Sequence, residues 1–453
     1  MMRRILLALC LTLVASAPAW AAPDIQRWRT DDGTRVVFAP THELPIVDVR
    51  VLFDAGSARD GDHAGLARLT ANLLLEGADG LNAGEIARRF EQQGARVSTG
   101  SARDSAWVSL RSLARGDNLN AATDLLARVL AGPDFPQGAF ERVRGQMQVA
   151  LRHGRQDPGT VAGRAFMKAL LGEHPYASPP SGTRDGLKGI TRRQVEAFHR
   201  RYYVAGNATV AIVGDIDAAR AHELAARLTD GLADGEAAPA LPPVPPLKAS
   251  RTVRIPFDTS QTHVLIGETT PVARGDERWP ALYLANHVLG GGGLVSVLAE
   301  RMREQRGLSY SSSSSVTAAA AGGWFQVGTQ VRNDRLDDAL SVLRESIDEF
   351  RSKGPDADRL ALARSNITGS FPLSLDSNRD LVSYLGMIGL YGLPSDYLAR
   401  FPQRIDALGR ERVAEVVSQV LSPGHRVTVL VGPAGVIGAD GAADTDGEDG
   451  GGA

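Results

Sequence analysis

Apolar and polar residues alternate over 34–39 and 46–54, the period of two expected of strands with one face toward a core. Over 64–76 and 83–93 apolar residues recur every three to four positions, which predicts helices. Two more alternating stretches, 96–100 and 105–113, precede helical patterns at 119–131, 137–152 and 161–171. A helix at 192–203, an apolar strand at 208–213 and a helix at 218–228 close this half. The pattern then restarts, with strands at 251–255 and 262–268, a helix at 279–289, and strands at 309–317 and 323–330. Helices follow at 335–351, 356–368, 380–391 and 410–419, and a last strand at 426–431. Strands gather early in each half and helices late, which predicts an α+β fold. The halves agree in order and spacing with weak sequence identity, so a structural repeat is expected.

Between the halves, residues 235–250 read GEAAPALPPVPPLKAS, a proline-rich stretch that cannot continue a helix and favours extended backbone. It divides the chain into an N-terminal domain over 22–234 and a C-terminal domain over 251–433. Residues 434–453 are rich in glycine and aspartate without apolar periodicity, and are expected to be a disordered acidic tail. A calcium role for its aspartates is disfavoured, because the spacing and flanking helices of an EF-hand are missing.

Length and composition fit this division. At 453 residues the chain exceeds one ordinary core, and 43% hydrophobic with 23% charged residues is typical of a globular protein. The formal net charge is -2 and there is no long basic run, so nothing points to nucleic acid or an anionic membrane. Met1-Met2-Arg3-Arg4, an apolar run over 5–14 and Ala19-Trp20-Ala21 form the three regions of a signal peptide over 1–21, cleaved near Ala21 or Ala22. The protein is therefore expected to be exported, and periplasmic in a Gram-negative source. No stretch approaches the ~20 apolar residues of a membrane-spanning helix. Leu-Ala-Leu-Cys ending at Cys10 loosely resembles a lipoprotein acceptor, though the apolar stretch before it is short for one. Removing the leader removes the only cysteine, so the mature chain forms no disulfide and offers no thiolate.

The usual catalytic signatures are absent: no G-x-S-x-G elbow, no G-x-x-x-x-G-K-[ST] phosphate loop, no strand-linked G-x-G-x-x-G. A zinc site on a helix needs two histidines three or four residues apart, so that both imidazoles leave one face. The nine histidines, from His42 to His425, stand at least 21 positions apart, which favours packing or surface roles over metal ligation.

Ala55-Gly56-Ser57-Ala58-Arg59, followed by the run from Gly65 to Gly77, GLARLTANLLLEG, resembles the first helix of the M16 (pitrilysin or mitochondrial-processing-peptidase) family. Active members carry the inverted zinc motif H-x-x-E-H there. Laid on that motif, the first histidine falls on Arg68, the general-base glutamate on Ala71 and the second histidine on Asn72. A permanent cation repels zinc, an alanine cannot activate water, and asparagine is a poor zinc ligand. The third ligand, a glutamate, should fall within 146–151, which reads QMQVAL. The resemblance extends to His174-Pro175-Tyr176 with Gly182-Thr183, and to Phe198-His199-Arg200-Arg201-Tyr202-Tyr203 leading into Asn207-Ala208-Thr209; these are scaffold signals. It implies two similar M16-type (LuxS/MPP-like) domains facing each other as a clamshell around a peptide cavity.

In the second half, Gly290, Gly291, Gly292 and Gly293, followed by Leu298 to Tyr310, resemble the family's glycine-rich loop and its R-x6-Y pair. The resemblance implies that Arg303 and Tyr310 reach a scissile peptide and stabilise the developing oxyanion, with the glycines admitting a substrate backbone. The plainer alternative is that Arg303 pairs with Glu300 or Glu304 on a solvated helix and Tyr310 packs in the sheet. Together these imply a non-catalytic, peptide-binding subunit of a two-chain peptidase. Its partner would be a zinc-bearing homologue with an intact H-x-x-E-H, with no cofactor in this chain. Extended peptides would add as a strand along 96–100 or its counterpart in the second half. The alternative is a stand-alone peptide-binding or scaffold protein. An active zinc protease on its own would need ligands this chain does not show.

Overall fold

The computed structural model describes residues 23–421 and 424–438. The expected signal peptide, Cys10 and residues 439–453 of the acidic tail lie outside the described residues. In the first half, β1 (Gln26–Arg29), β2 (Arg35–Pro40) and β3 (Ile46–Phe53) precede a small hairpin of β4 (Gly77–Ala78) and β5 (Leu81–Asn82). Then come β6 (Arg96–Ser101), β7 (Ala106–Leu113) and β8 (Ala208–Gly214). The main sheet has the order β1-β2-β8-β3-β7-β6. In the second half, β9 (Arg251–Pro256), β10 (Gln261–Thr270), β11 (Ser312–Ala319), β12 (Gly322–Arg332) and β13 (Val427–Gly432) form a sheet ordered β11-β12-β10-β13-β9.

Taken from β9, this second order is β9-β13-β10-β12-β11, which repeats β2-β8-β3-β7-β6 strand for strand. In both sheets the first pair is parallel and the other three are antiparallel. The expected repeat is a repeat of topology.

Among the described residues, eight helices belong to the first half: α1 (Leu66–Leu73), α2 (Ala83–Gln92), α3 (Asn118–Ala131), α4 (Gln137–Gly154), α5 (Pro158–Leu171), α6 (Arg184–Gly189), α7 (Arg192–Tyr202) and α8 (Ala218–Thr229). Eight more belong to the second: α9 (Trp279–Asn286), α10 (Val297–Ala299), α11 (Leu336–Lys353), α12 (Ala357–Ser370), α13 (Asn378–Leu390), α14 (Tyr397–Asp406), α15 (Arg410–Val420) and α16 (Ala434–Ile437). Their starts are written locally. Asn82 with Glu85 and Thr191 with Gln194 form capping boxes, and Asp157 caps α5 ahead of Pro158.

Period-two alternation assigns the two sides of each sheet to different cores. Val36, Phe38, Val49, Val51 and Phe53 face the helices of their own half, whereas Val37, Ala39, Ala211 and Val213 join the core of the second half. There they meet α13, where a Cβ on Gly389 would stand 2.4 Å from Thr209 Cγ2 and one on Gly386 2.8 Å from Leu52 Cδ1. The second sheet answers in kind: Val427, Val429 and Val431 pack with Ala162, Phe166 and Leu170 of α5. Gly267 of β10 leaves the room that Phe166 fills. Each half thus lends one helix to the other's sheet, and two interior strands, β8 and β13, are buried along their whole length. Burying a large apolar side chain contributes about 1.5–3 kcal/mol, so these exchanged helices tie the halves into one body.

The proline-rich segment is extended and laced to both halves. Asn207 Oδ1 accepts from Ala238 N–H at 2.9 Å, His174 Nε2 lies 2.8 Å from the Pro242 carbonyl, and Val244 N–H donates to the Ala321 carbonyl at 2.8 Å.

Some elements depart from the sequence expectation, and the β4–β5 hairpin is one that the periodicity did not predict. Strand β1 was not expected, because only Trp28 of its four residues is a large apolar side chain. Helix α14 was not expected either: Leu398, Phe401 and Ile405 form a buried stripe, but Pro402 sits inside it and removes one helical N–H. Strand β11 begins at Ser312, three residues later than expected, and so leaves Tyr310 in the connection before it. Residues 434–437 form α16 where the tail was expected to begin. Among the described residues no helix is long and apolar enough to cross a membrane.

Candidate functional site

Helix α1 is held with care although its chemistry is altered. Asp60, almost fully buried, accepts from the backbone N–H groups of Gly65 and Ala67, both at 2.8 Å, and from Ser178 Oγ at 3.1 Å. Burial raises its carboxyl to about 6, and these three donors oppose the rise. The helix start sits against the Gly182-Thr183 turn, where a Cβ on Gly182 would come within 2.8 Å of the Ala64 carbonyl oxygen. Gly186 approaches the same oxygen, its would-be Cβ at 2.4 Å. The segment from His174 to Thr183 therefore acts as a seat for α1.

On that seat, Arg68 and Asn72 lie four residues apart on one face and are half-buried, while Ala71 is fully buried. The facing stretch 146–151 supplies no carboxylate, and Glu76 at the end of the helix is ion-paired with Arg142. Among the described residues there is no group of three or more His, Cys, Asp or Glu side chains able to hold a metal ion. A guanidinium, a methyl group and an amide do not make a zinc donor set. Zinc does not fit this helix.

The glycine segment and the Arg-Tyr pair lie together at the edge of the second sheet. Helix α9 runs into a π-helical turn at His287–Gly291, and α10 into another at Glu300–Glu304. Such widened turns interrupt regular helix and often mark functional positions. Gly290 is buried because a Cβ there would strike the Ser314 backbone nitrogen of β11 at 2.4 Å. Asn286 fastens the turn, its Oδ1 accepting from Ser314 Oγ at 2.8 Å. Gly291 and Gly293 are exposed and Gly292 half-buried, and beyond them Leu294 and Val295 point outward. Of the four glycines, Gly290 packs under β11, Gly291 and Gly292 pass so close to Asn286 Nδ2 and the His287 carbonyl oxygen that a Cβ would stand 2.7 Å from each, and Gly293 is open.

After the second widened turn, Gly307 adopts φ +58° and reverses the chain, with its N–H bonded to the Arg303 carbonyl at 3.0 Å. Ser309 is pinned inward by Ser312 Oγ at 2.7 Å, which in turn meets Thr329 Oγ1 at 2.8 Å. The next side chain must then face out. Tyr310 is 80% exposed, and the Arg303 guanidinium carbon lies 4.7 Å from its ring centroid. Glu300 is engaged by Arg359 and by Gln305, and Tyr310 lies outside the sheet. The plainer alternative for this pair is therefore not what the structure contains. A half-buried cation stacked on an exposed phenol offers a fork of N–H donors beside one O–H donor.

A residue that sequence reasoning missed is Asp104, which joins Tyr176 of the first half to Tyr391 of the second. The Tyr176 position within His174-Pro175-Tyr176 was visible, but its acceptor was not.

Known proteins bear on this geometry directly. Residues 35–184 match the family model described as insulinase (peptidase family M16), and residues 189–367 the one described as the peptidase M16 inactive domain. A crystal structure of a peptidase M16 inactive domain from Pseudomonas fluorescens is 36% identical, with a TM-score of 0.87, covering 90% of this chain and 98% of that one. The chain belongs to peptidase family M16. Among curated relatives, an uncharacterized zinc protease of Mycobacterium leprae is 28% identical over 88% of this chain and 89% of its own length. A non-peptidase homolog of Helicobacter pylori is 24% identical over 84% of this chain and 88% of its own length. A protease from Helicobacter pylori shares the fold at a TM-score of 0.81 and 19% identity, covering 91% of this chain and 100% of that one. Within M16, this chain is a member of the inactive-domain kind, with two α+β domains.

Proposed function

We propose that this chain is the non-catalytic, peptide-binding member of an exported two-chain M16 peptidase, and that it completes the active site of a zinc-bearing homologue. The observation that carries the reading is the Arg303–Tyr310 pair: stacked at 4.7 Å, with Tyr310 80% exposed and Arg303 not committed to the neighbouring Glu300. A phenol and a guanidinium held outward by a pinned turn suit an oxyanion that forms on a peptide bound by another chain. Zinc in the partner would polarise the peptide carbonyl and activate water there; Arg303 and Tyr310 would donate hydrogen bonds to the developing charge. Leu294 and Val295, exposed beside the glycine segment, offer apolar contact for a substrate or for the partner's surface. Peptides would lie extended along β6 or β11, each the last strand of its sheet, with backbone bonds giving little sequence preference.

The test is to purify the chain alone and together with an H-x-x-E-H homologue, and to measure bound zinc and peptide hydrolysis. The isolated chain is expected to hold no zinc and cleave nothing, and the pair to cleave. Arg303→Ala or Tyr310→Phe should lower turnover of the pair by roughly 10²–10³-fold with assembly intact. Zinc-dependent hydrolysis by the isolated chain, or unchanged turnover in both variants, would overturn the reading.

A further inference from the structure

Arg68 of α1 is half-buried, yet among the described residues it makes no hydrogen bond, ion pair or ring contact. Every other half-buried arginine of the first half donates to a protein acceptor: Arg59 to Asp54, Arg111 to Asp48, Arg103 to the Tyr176 carbonyl, Arg144 to the Ile190 carbonyl, and the rest likewise. A guanidinium drawn partly out of water without a partner bears its desolvation cost uncompensated. Asn72, one turn further along the same face, is half-buried too, and its amide is equally unengaged.

The carboxylates tied to α1 are already engaged. Glu76, just past its end, is paired with Arg142, and both oxygens of Asp60 are held by the Gly65 and Ala67 N–H groups. Exposed Asp62, ahead of the helix, is not paired with Arg68, and the facing stretch 146–151 reads QMQVAL. The bonds from Asp60 also fix the start of the helix, so Arg68 and Asn72 stand on a rigid frame. Their surroundings suit an extended chain. Helix α1 packs against β6, the last strand of its sheet, whose outer edge has no strand partner among the described residues. Val97 of β6 packs with the core under α1, and Thr99, two residues on, is on the same side of the sheet. A peptide added to β6 would run ~4.8 Å beyond it and turn alternate side chains toward the side that α1 occupies.

We propose that Arg68 and Asn72 form a binding site for a peptide carboxylate, carried on a chain extended along β6. The guanidinium offers two parallel N–H donors to the two carboxylate oxygens, and the Asn72 amide offers a further N–H. The group recognised is the C-terminal carboxylate or the side chain of an aspartate or glutamate turned toward α1, one chemistry from two sources. Side chains that suit no metal thus suit an anion. The site rests on peptide binding along β6, as proposed above, and needs no partner chain.

The test measures, by titration calorimetry on the full chain alone, three N-acetylated hexapeptides of alternating threonine and valine. One has a free C-terminus, one is amidated, and one is amidated with glutamate as its last residue. A carboxylate-bearing peptide is expected to bind about tenfold or more tightly than the neutral amide, as a charge-assisted bidentate pair supplies, with the advantage shrinking as salt is raised. Which of the two gains it identifies the terminal or the side-chain group. Arg68→Gln should remove the advantage and leave the affinity for the neutral amide unchanged, which also reports an intact fold. Arg68→Lys, which keeps the charge but not the fork, should retain part of it. Equal affinity for all three peptides, or an advantage that survives Arg68→Gln, overturns the carboxylate site and leaves peptide binding standing. If no peptide binds, the peptide-binding reading fails and the site with it.

Discussion

Tyr176 donates its hydroxyl proton to Oδ1 of Asp104 at 2.5 Å, at the junction where the two halves meet. The other carboxylate oxygen accepts from Tyr391 at 2.7 Å and from Ala320 N–H at 3.1 Å, and the Tyr176 hydroxyl itself accepts from Ala321 N–H at 3.2 Å. Asp104 and Tyr176 come from the first half, and the other three groups from the second. Burial, then Asp104, pushes both phenols well above their usual range, so both remain donors at any working pH. Tyr391→Phe removes one bond to a buried carboxylate and should cost about 1.5–3 kcal/mol in chemical denaturation. A loss below about 0.5 kcal/mol would mean that the junction does not depend on this bond.

The exchange of α5 and α13 predicts that the halves unfold together. Gly389→Ala places a methyl 2.4 Å from Thr209 Cγ2 and 2.9 Å from Val37 Cγ2, both on the opposite half's sheet. Overpacking of this kind costs about 1–3 kcal/mol, against a gain of about 1 kcal/mol in helix propensity. A single calorimetric transition moved to lower temperature is expected. Two separate transitions, with only one displaced, would show that the halves are independent.

Asp60 gives a pH dependence whose sign is fixed by its environment. Its carboxyl titrates near 6 in the folded chain and near 3.8 when unfolded, so between these values the folded state holds more protons. The group's stabilisation is full below about pH 4 and is lost as pH rises through about 6, by about 3 kcal/mol in all. Buried His199 runs the other way, lowered to about 4 by burial, and loses stabilisation as pH falls below 6.5. Asp60→Asn has no such titration, so the stability difference between wild type and variant should shrink from pH 4 to pH 7. A difference that is constant with pH would show that Asp60 is not desolvated.

Tyr310 and Arg303 make a prediction about the isolated chain. The ring is exposed and stacks on the half-buried Arg303, so Tyr310→Ala should change folding stability by no more than about 1 kcal/mol. A cost of several kcal/mol would indicate a structural role for the pair and weaken its assignment to substrate.

Much of the fold was legible because period and punctuation are local. The alternation in Ile46–Phe53, the capping boxes at Asn82 and Thr191, and the apolar runs of β8 and β13 need no partner to be recognised. Strand β1 and α14 were hidden for the opposite reason: the first has polar residues flanking Trp28, and the second is interrupted by Pro402. That Arg68, Ala71 and Asn72 make no zinc donor set is a matter of residue type alone, since no arrangement turns them into ligands.

Position was another matter. That Gly386 and Gly389 exist to admit the other half's Leu52 and Thr209, that Asp104 meets Tyr391 across 287 positions, and that Tyr310 faces solvent while Ser309 is pinned beneath it were decided by tertiary structure. The reason is range. Periodicity, capping and side-chain chemistry act within a few residues and are written in the sequence, whereas close approach and burial depend on which distant segments the fold brings together.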